Sequence, residues 1–326
     1  MSNNAKIYIN LKINAIIELG DNMTKIRKKR LKIKKKNFTI FIIIVVLIIY
    51  LIVKGTNLLI TTLTESPKKE QNKVTEKKLS DKDKKLKKLN NIDKKIDYFN
   101  YDYIDRYIDY KNKNKELKMK KVIIDVNIGL DYPYYENTKR AKNLNKSYIL
   151  VNKYNYLTEN YVPNRLEKID LNYARSGMKL VSYAKEAFEN MAKAAKKENY
   201  TIIAMSSYRS YSYQENLYAK YVKQDGKEAA DTYSGRPGYS EHQTGLAVDI
   251  YNGKEDYTNF ERTKELKWMQ KHAHEYGFIL RFPKDKEKET GYKYESWHYR
   301  YVGKNIATII KNKNISYEEY YVQYIK

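Results

Sequence analysis

The chain has no cysteine in its 326 residues. That excludes a disulfide scaffold, a cysteine-ligated zinc or iron–sulfur site, and a thiol nucleophile. Proline is scarce at 5 residues, and charged residues make up 32%, which fits long polar segments. No self-similarity at a period of 20–50 residues appears, so a solenoid is excluded. Histidine occurs only four times, as His242, His272, His274 and His298. What is present is apolar residues at 42%, enough for a real core, and a length that allows roughly two domains.

Cations exceed anions by 25, and they are unevenly placed. Residues 1–90 hold 22 Lys/Arg against 7 Asp/Glu. Nine of those cations crowd into 25–36 without an acid, and residues 38–53 follow as 16 positions without a charge. As a helix this run spans about 24 Å, a little under the hydrocarbon core of a bilayer, and Lys54 can snorkel to the headgroups. A secretory signal would end in a small-residue cleavage site, but Lys-Gly-Thr-Asn-Leu-Leu follows instead. The expectation is a basic cytoplasmic segment at 1–37 and an uncleaved transmembrane signal anchor at 38–60. The rest of the chain would then be extracytoplasmic under the positive-inside rule. Such an anchor accounts for most of the N-terminal charge without invoking nucleic acid as a partner.

Residues 61–91 are rich in Lys, Glu, Asp and Ser and read as a solvated linker. In 92–145, Ile92, Ile96, Phe99, Tyr103 and Tyr107 recur at helical spacing, and KVIIDVNI at 121–128 reads as a strand closed by Gly129. This region is expected to be an accessory element packed on a main domain spanning 146–326. Within that domain 148–157 reads as a strand and turn, and 178–197, 213–222 and 260–276 as helices. Residues 200–205, 246–251 and 297–302 read as strands. The expected class is α+β with a small sheet.

Two histidines sit in unusual contexts: Ser240-Glu241-His242-Gln243-Thr244-Gly245-Leu246-Ala247-Val248-Asp249, and Glu295-Ser296-Trp297-His298. A catalytic zinc takes three nitrogen or oxygen ligands and leaves a fourth position for water. His242, Asp249 and His298 supply two imidazoles and a carboxylate. A turn at Gly245 would let Asp249 project from the following strand, on the same face as the small Ala247. Glu295, three residues before His298, would be within reach of the water as general base. A loop histidine, a turn aspartate and a core tryptophan would explain the same residues without a metal, and another divalent ion could use the same donors. His272 and His274 lie two apart on a helix and diverge, so they read as surface or packing residues. Arg281 and Arg300 read as structural ion pairs before substrate contacts.

Ser-x-His-x-x-Gly-x-Ala-x-Asp followed by Glu-x-Trp-His resembles the VanY-like D-alanyl-D-alanine carboxypeptidases, zinc peptidases of bacterial cell-wall peptides. The stretch from Ser206 through Arg209 to Gln214 resembles that family's arginine loop. The run from Arg236 to Gly245, the Tyr276–Arg281 stretch and the run from Trp297 to Gly303 match further motifs in order. The resemblance covers about residues 145–305. It implies an α+β fold with a small antiparallel sheet flanked by helices, Zn2+ held by His242, Asp249 and His298, Glu295 as catalytic base, and Arg209 on the substrate carboxylate or oxyanion. Gln214 and Ser240 would contact the peptide. The implied reaction is removal of the terminal D-alanine from a peptidoglycan stem peptide. The alternatives are an L,D-carboxypeptidase acting on tetrapeptide stems, an endopeptidase, or a non-catalytic wall-binding module. The chain departs from the family at Ser296, where proline is usual, and at Ser207, where glycine is common.

Overall fold

The structure, a computed structural model, describes residues 96–325 except 255. The segments 1–37, 38–60 and 61–91 lie outside the described residues, as does the start of 92–145. Among the described residues no helix is long and apolar enough to cross a membrane.

The helices in chain order are α1 (Ile104–Lys113), α2 (Met119–Ile128), α3 (Ser182–Lys197), α4 (Tyr211–Asp225), α5 (Lys227–Asp231), α6 (Lys264–His272), α7 (Glu287–Thr290), α8 (Lys304–Lys313) and α9 (Tyr317–Tyr324). The strands are β1 (Lys139–Arg140), β2 (Asn155–Tyr156), β3 (Leu166–Lys168), β4 (Lys179–Val181), β5 (Ile203–Ser206), β6 (Ala247–Tyr251), β7 (Phe278–Leu280) and β8 (His298–Tyr301). The central sheet is four-stranded and antiparallel, in the order β5-β6-β8-β7. Two lesser pairs join β3 to β4 antiparallel and β1 to β2 parallel. Helices flank a small antiparallel sheet, as the expected α+β class requires.

Alternation along the strands gives the sheet two different faces. Ala204, Val248, Ile250, Phe278 and Tyr299 belong to the main core, with Phe188 and Met191 of α3 and Trp268 and Met269 of α6. Burying such side chains contributes about 1.5–3 kcal/mol each. The other face carries Asp249 and His298, paired across β6 and β8, and Ala247 paired with Arg300. It therefore holds polar groups inside the protein.

Several elements differ from the sequence expectation. Residues 121–128 form a helix, not a strand. Val122, Ile123, Ile124, Val126 and Ile128 are all buried and point several ways round the helix, so the apolar pattern does not reveal its period. Lys121 and Asp125 pair at 2.7 Å with helical spacing, and Gly129, at φ 113°, closes the helix in a left-handed cap. The helix expected from Ile92 is delayed: Asn100 caps a short 3-10 turn at Tyr101–Tyr103, and α1 follows. In 148–157 only Asn155 and Tyr156 pair as strand. The Asn152 side chain accepts from the backbone N–H groups of Tyr154 and Asn155 at 3.1 Å and turns the chain there. Residues 179–181 are strand, so the helix expected from 178 starts at Ser182. The helix expected over 260–276 breaks at Thr263, whose side chain caps α6, and ends as a 3-10 turn, Ala273–Tyr276.

Helices α1 and α2 pack on each other, and α2 packs on α9. Val322 of α9 belongs to the same apolar cluster as Tyr107, Val122 and Val126. Tyr98, Tyr103, Tyr107 and Tyr110 are packing residues there, with Tyr107 Oη donating to Asn127 Oδ1 at 2.7 Å, while Tyr101 is exposed.

Candidate active site

A β-bulge in β5, between Ala204 and Ser206, sets Ser206 opposite Asp249 on β6. Bulges of this kind re-aim side chains at sheet rims. The chain then enters the arginine loop and α4, whose start is capped by Ser210. On the other side of Asp249, the 3-10 turn Glu241–Thr244 carries His242 and ends at Gly245 with φ 66°. The side chain of Gln243 pins this turn by donating to the carbonyls of Thr158 and Tyr161. His298 opens β8 directly across from Asp249. One turn and two neighbouring strands thus bring three residues from distant parts of the sequence to one point.

His242 Nε2 lies 3.3 Å from Asp249 Oδ2, and His298 Nδ1 lies 3.0 Å from Asp249 Oδ1. One donor atom from each of the three falls within 4.8 Å of the others, and all three residues are buried. Tetrahedral zinc with bonds of about 2.0–2.2 Å has ligand–ligand edges of roughly 3.3–3.6 Å, near both Asp249 contacts, so the donor types and their spacing suit it. The outer nitrogens support the fit. His242 Nδ1 lies 2.6 Å from the Ser207 carbonyl, which can only accept, so Nδ1 holds the proton and Nε2 offers its lone pair. Nε2 has no hydrogen-bond partner although it is buried. His298 turns Nε2 toward Glu241 Oε2 at 3.6 Å, leaving Nδ1 on the ligand side.

The electrostatics of the cluster are set by burial and by the charges that face one another. Burial pushes His242 down to about 4, and the charge of Arg209 adds to the effect. Burial also opposes charge on His298, but hydrogen bonds to Asp249 and Glu241 push it up to about 9. Burial alone would raise Asp249; the two imidazoles hold it well below the usual carboxylate range. Burial pushes Glu295 up to about 8, only partly offset by His298. A divalent cation bound here would replace the proton on His298 Nδ1.

Glu295 Oε2 sits 3.7 Å from His298 Nδ1, beside the ligand atoms. Its backbone is tied at both ends: its N–H donates to Phe282 O at 3.1 Å, and its carbonyl accepts from His298 N at 3.3 Å. That anchoring holds the turn with Ser296, itself buried, in place of proline. Ser207, the other departure, uses its Oγ to accept from Lys179 N at 2.8 Å and its carbonyl to orient His242.

These groups open on a cleft of about 620 Å³. Arg209 and Ser240 line it, together with aromatic walls that include Tyr221, Tyr257 and Trp297. Arg209 is tied to the metal-side turn by its N–H to His242 O at 3.3 Å, and its Nε is buried without a partner. Gln214 lies behind the wall, not on it: Nε2 donates to Ser234 Oγ and to Gly235 O. His272 and His274 are apart from the cluster; His272 stacks on Trp268.

Sequence reasoning missed a role for Glu241. Its Oε1 accepts from Arg281 Nε at 2.8 Å and from Arg300 Nη1 at 2.9 Å. Arg281 in turn makes a two-pronged pair with Glu318 of α9. Burial would raise Glu241, yet the two guanidinium groups hold it well below the carboxylate range. The signal available in the sequence was two arginines set within or beside apolar strand residues, which demand buried partners.

A family model described as D-alanyl-D-alanine carboxypeptidase, VanY, matches residues 177–304. The chain is 39% identical over 212 residues to YodJ of Bacillus subtilis (strain 168), named as a carboxypeptidase, covering 59% of this chain and 76% of that protein. It is 30% identical over 177 residues to VanXYC of Enterococcus gallinarum, a bifunctional D-Ala-D-Ala dipeptidase and D-Ala-D-Ala carboxypeptidase, covering 53% of this chain and 92% of the relative. Among solved structures, the LdcB LD-carboxypeptidase aligns with a TM-score of 0.54 and 39% identity, over 58% of this chain and 91% of that one. With such identity carried across most of the length of these relatives, the chain belongs to the VanY family of D-alanyl-D-alanine carboxypeptidases.

Proposed function

We propose that the protein is a zinc carboxypeptidase that releases the C-terminal D-alanine of peptidoglycan stem peptides, acting on pentapeptides ending in D-Ala-D-Ala. The observation that carries this reading is the buried cluster of His242, Asp249 and His298 with Glu295 beside it, opening on a cleft that also holds Arg209. The ligands are His242 Nε2, a carboxylate oxygen of Asp249 and His298 Nδ1. Zinc, when bound, supplies Lewis acidity to a water and to the scissile carbonyl. Glu295 takes a proton from the attacking water and returns it to the departing amine. Arg209, whose buried Nε has no protein partner, binds the substrate carboxylate or the developing oxyanion. Ser240 lines the same cleft and contacts the peptide, and Gln214 acts by holding Ser234 and Gly235 in its wall.

A second reading is L,D-carboxypeptidase action on tetrapeptide stems. It is favoured by the likeness to the LdcB LD-carboxypeptidase. On sequence grounds the protein is anchored by residues 38–60, with its N-terminus in the cytoplasm and the catalytic domain outside. Mass spectrometry of pentapeptide and tetrapeptide stems, incubated with the zinc-loaded protein, tests both readings. Loss of one alanine from the pentapeptide alone is the expected result. Loss from the tetrapeptide alone moves the assignment to the second reading, and cleavage of neither refutes both.

A further inference from the structure

We propose that Glu318 on α9 is a positioning residue of the metal centre, acting through Arg281 and Glu241 to fix which nitrogen of His298 faces the ligand site. The inference rests on the reading that His242, Asp249 and His298 hold zinc.

The geometry forms one buried chain. Glu318 binds Arg281 through both carboxylate oxygens, at 2.9 Å to Nη1 and 2.5 Å to Nη2. Asn152 Nδ2 donates to the same carboxylate at 3.1 Å. The remaining Nε of Arg281 donates to Glu241 Oε1 at 2.8 Å. That oxygen also accepts from Arg300, whose other nitrogens are committed to the carbonyls of Ser147, Ile149 and Tyr301. The second oxygen of Glu241 is left facing His298 Nε2. At 3.6 Å that contact is longer than a hydrogen bond, and neither atom has a hydrogen-bond partner. Glu318 and Arg300 are fully buried and Arg281 is 1% exposed, so water cannot substitute for a missing member.

The charges explain why Glu318 matters at a distance. Two guanidinium groups face two carboxylates, and the set is neutral. Without Glu318, Arg281 has unpaired donors in a dry interior and one remaining carboxylate in reach, that of Glu241. A guanidinium prefers to grip a carboxylate with two parallel N–H groups. Arg281 would then draw both oxygens of Glu241 to itself and away from His298. The imidazole would lose the facing carboxylate whose charge favours a proton on Nε2 and a lone pair on Nδ1. Outer-shell partners of this kind govern metal affinity by about 10–100-fold.

Helix α9 is built to deliver this side chain. Ser316 and Glu319 form a capping box that fixes the first turn, and Lys121 and Lys286 grip Glu319 from outside. The ring of Tyr317 lies 5.4 Å from both Arg281 and Arg300. The helix lies beyond residues 177–304, the segment matched by the family model.

The test is zinc affinity of the full chain, measured by competition with a chromophoric chelator. Glu318→Gln is expected to bind zinc about 10-fold or more weakly. Val322→Ala, which loosens the same helix against α2 without touching the ion chain, is expected to keep the native affinity. The double variant Arg281→Met with Glu318→Met removes the guanidinium that would draw Glu241 away without stranding a charge; it is expected to keep near-native affinity, and weakening as large as that expected for Glu318→Gln overturns the proposal. Native affinity in the Glu318 variant, or equal weakening in Val322→Ala, overturns the proposal. Failure of the unaltered protein to bind zinc stoichiometrically overturns the zinc reading beneath it, so the two failures are distinguishable.

Discussion

Glu295→Gln should yield a protein that is inactive, still binds zinc, and is more stable than the parent without metal. The substitution keeps the shape of the side chain and removes its charge. Burial holds the Glu295 carboxyl up to about 8, against an ordinary value of 4.5. Each unit of displacement corresponds to about 1.4 kcal/mol. Between the unfolded value and pH 8 the metal-free fold therefore forfeits on the order of 5 kcal/mol, because the unfolded chain ionises freely and the folded one does not. The glutamine amide also loses hydration, costing about 1–3 kcal/mol, and His298 loses a neighbouring negative charge. The net gain expected is about 2 kcal/mol at pH 8. The sign follows from the raised value: stability is lost as pH climbs from 4.5 toward 8, so the advantage of the variant should vanish near pH 4. Urea denaturation of both proteins in excess chelator, at pH 4, 6 and 8, measures the difference directly. Turnover should fall about 10²–10⁴-fold, the contribution of a general base. Full turnover would refute the role given to Glu295. A stability difference that does not change with pH would refute the argument that burial raises its carboxyl.

Lys121→Met removes the cation that meets Asp125 at 2.7 Å, Glu289 at 2.5 Å and Glu319 at 3.4 Å, and so loosens α2 and α7 from α9. With that side chain about a third exposed, the expected loss is roughly 2 kcal/mol at pH 7, below the full cost of breaking a buried pair. Asp125, already raised by burial and held down by Lys121, would rise further, so the deficit should shrink at acidic pH; equal melting deficits at about pH 4.5 and 7 would contradict this. Gly245→Ala places a Cβ 2.9 Å from Leu166 Cδ2 and 3.0 Å from Val181 Cγ2 at φ 66°. Strain and crowding together should cost about 3 kcal/mol and weaken zinc binding by shifting His242 against Asp249, and an unchanged melting temperature would sink this account of the turn.

Part of the site was legible because its spacing is local. His242, Gly245, Ala247 and Asp249 lie within one turn and one strand, and alternation alone places Ala247 and Asp249 on a common face. Glu295 and His298 are separated by a single turn. The arginines 281 and 300 could be recognised as needing partners, since each lies in or beside a strand of buried aromatic and aliphatic residues. Their partners could not be named. Glu241 and Glu318 are 40 and 37 residues from Arg281, and no local period connects them. The run at 121–128 misled for a related reason. Its five apolar residues are all buried, α1 and α9 packing against the helix, and so short an apolar run fits a strand as well as a helix.

The sequence by itself determined the chemistry on offer: imidazole and carboxylate donors, a nearby glutamate, an arginine, and no thiol. It also determined the class of fold, because alternating apolar runs and helical stripes are properties of neighbouring residues. The tertiary structure alone decided which nitrogen of each histidine meets the ligand site. That choice depends on the Ser207 carbonyl and the Glu241 carboxylate, which reach the rings from other elements. It also decided the charge state of the site, since burial and the arrangement of charges move Glu295 and His298 in ways their identities cannot reveal. Proton position and ionisation are set by what lies within a few ångströms, and only the folded chain brings those neighbours together.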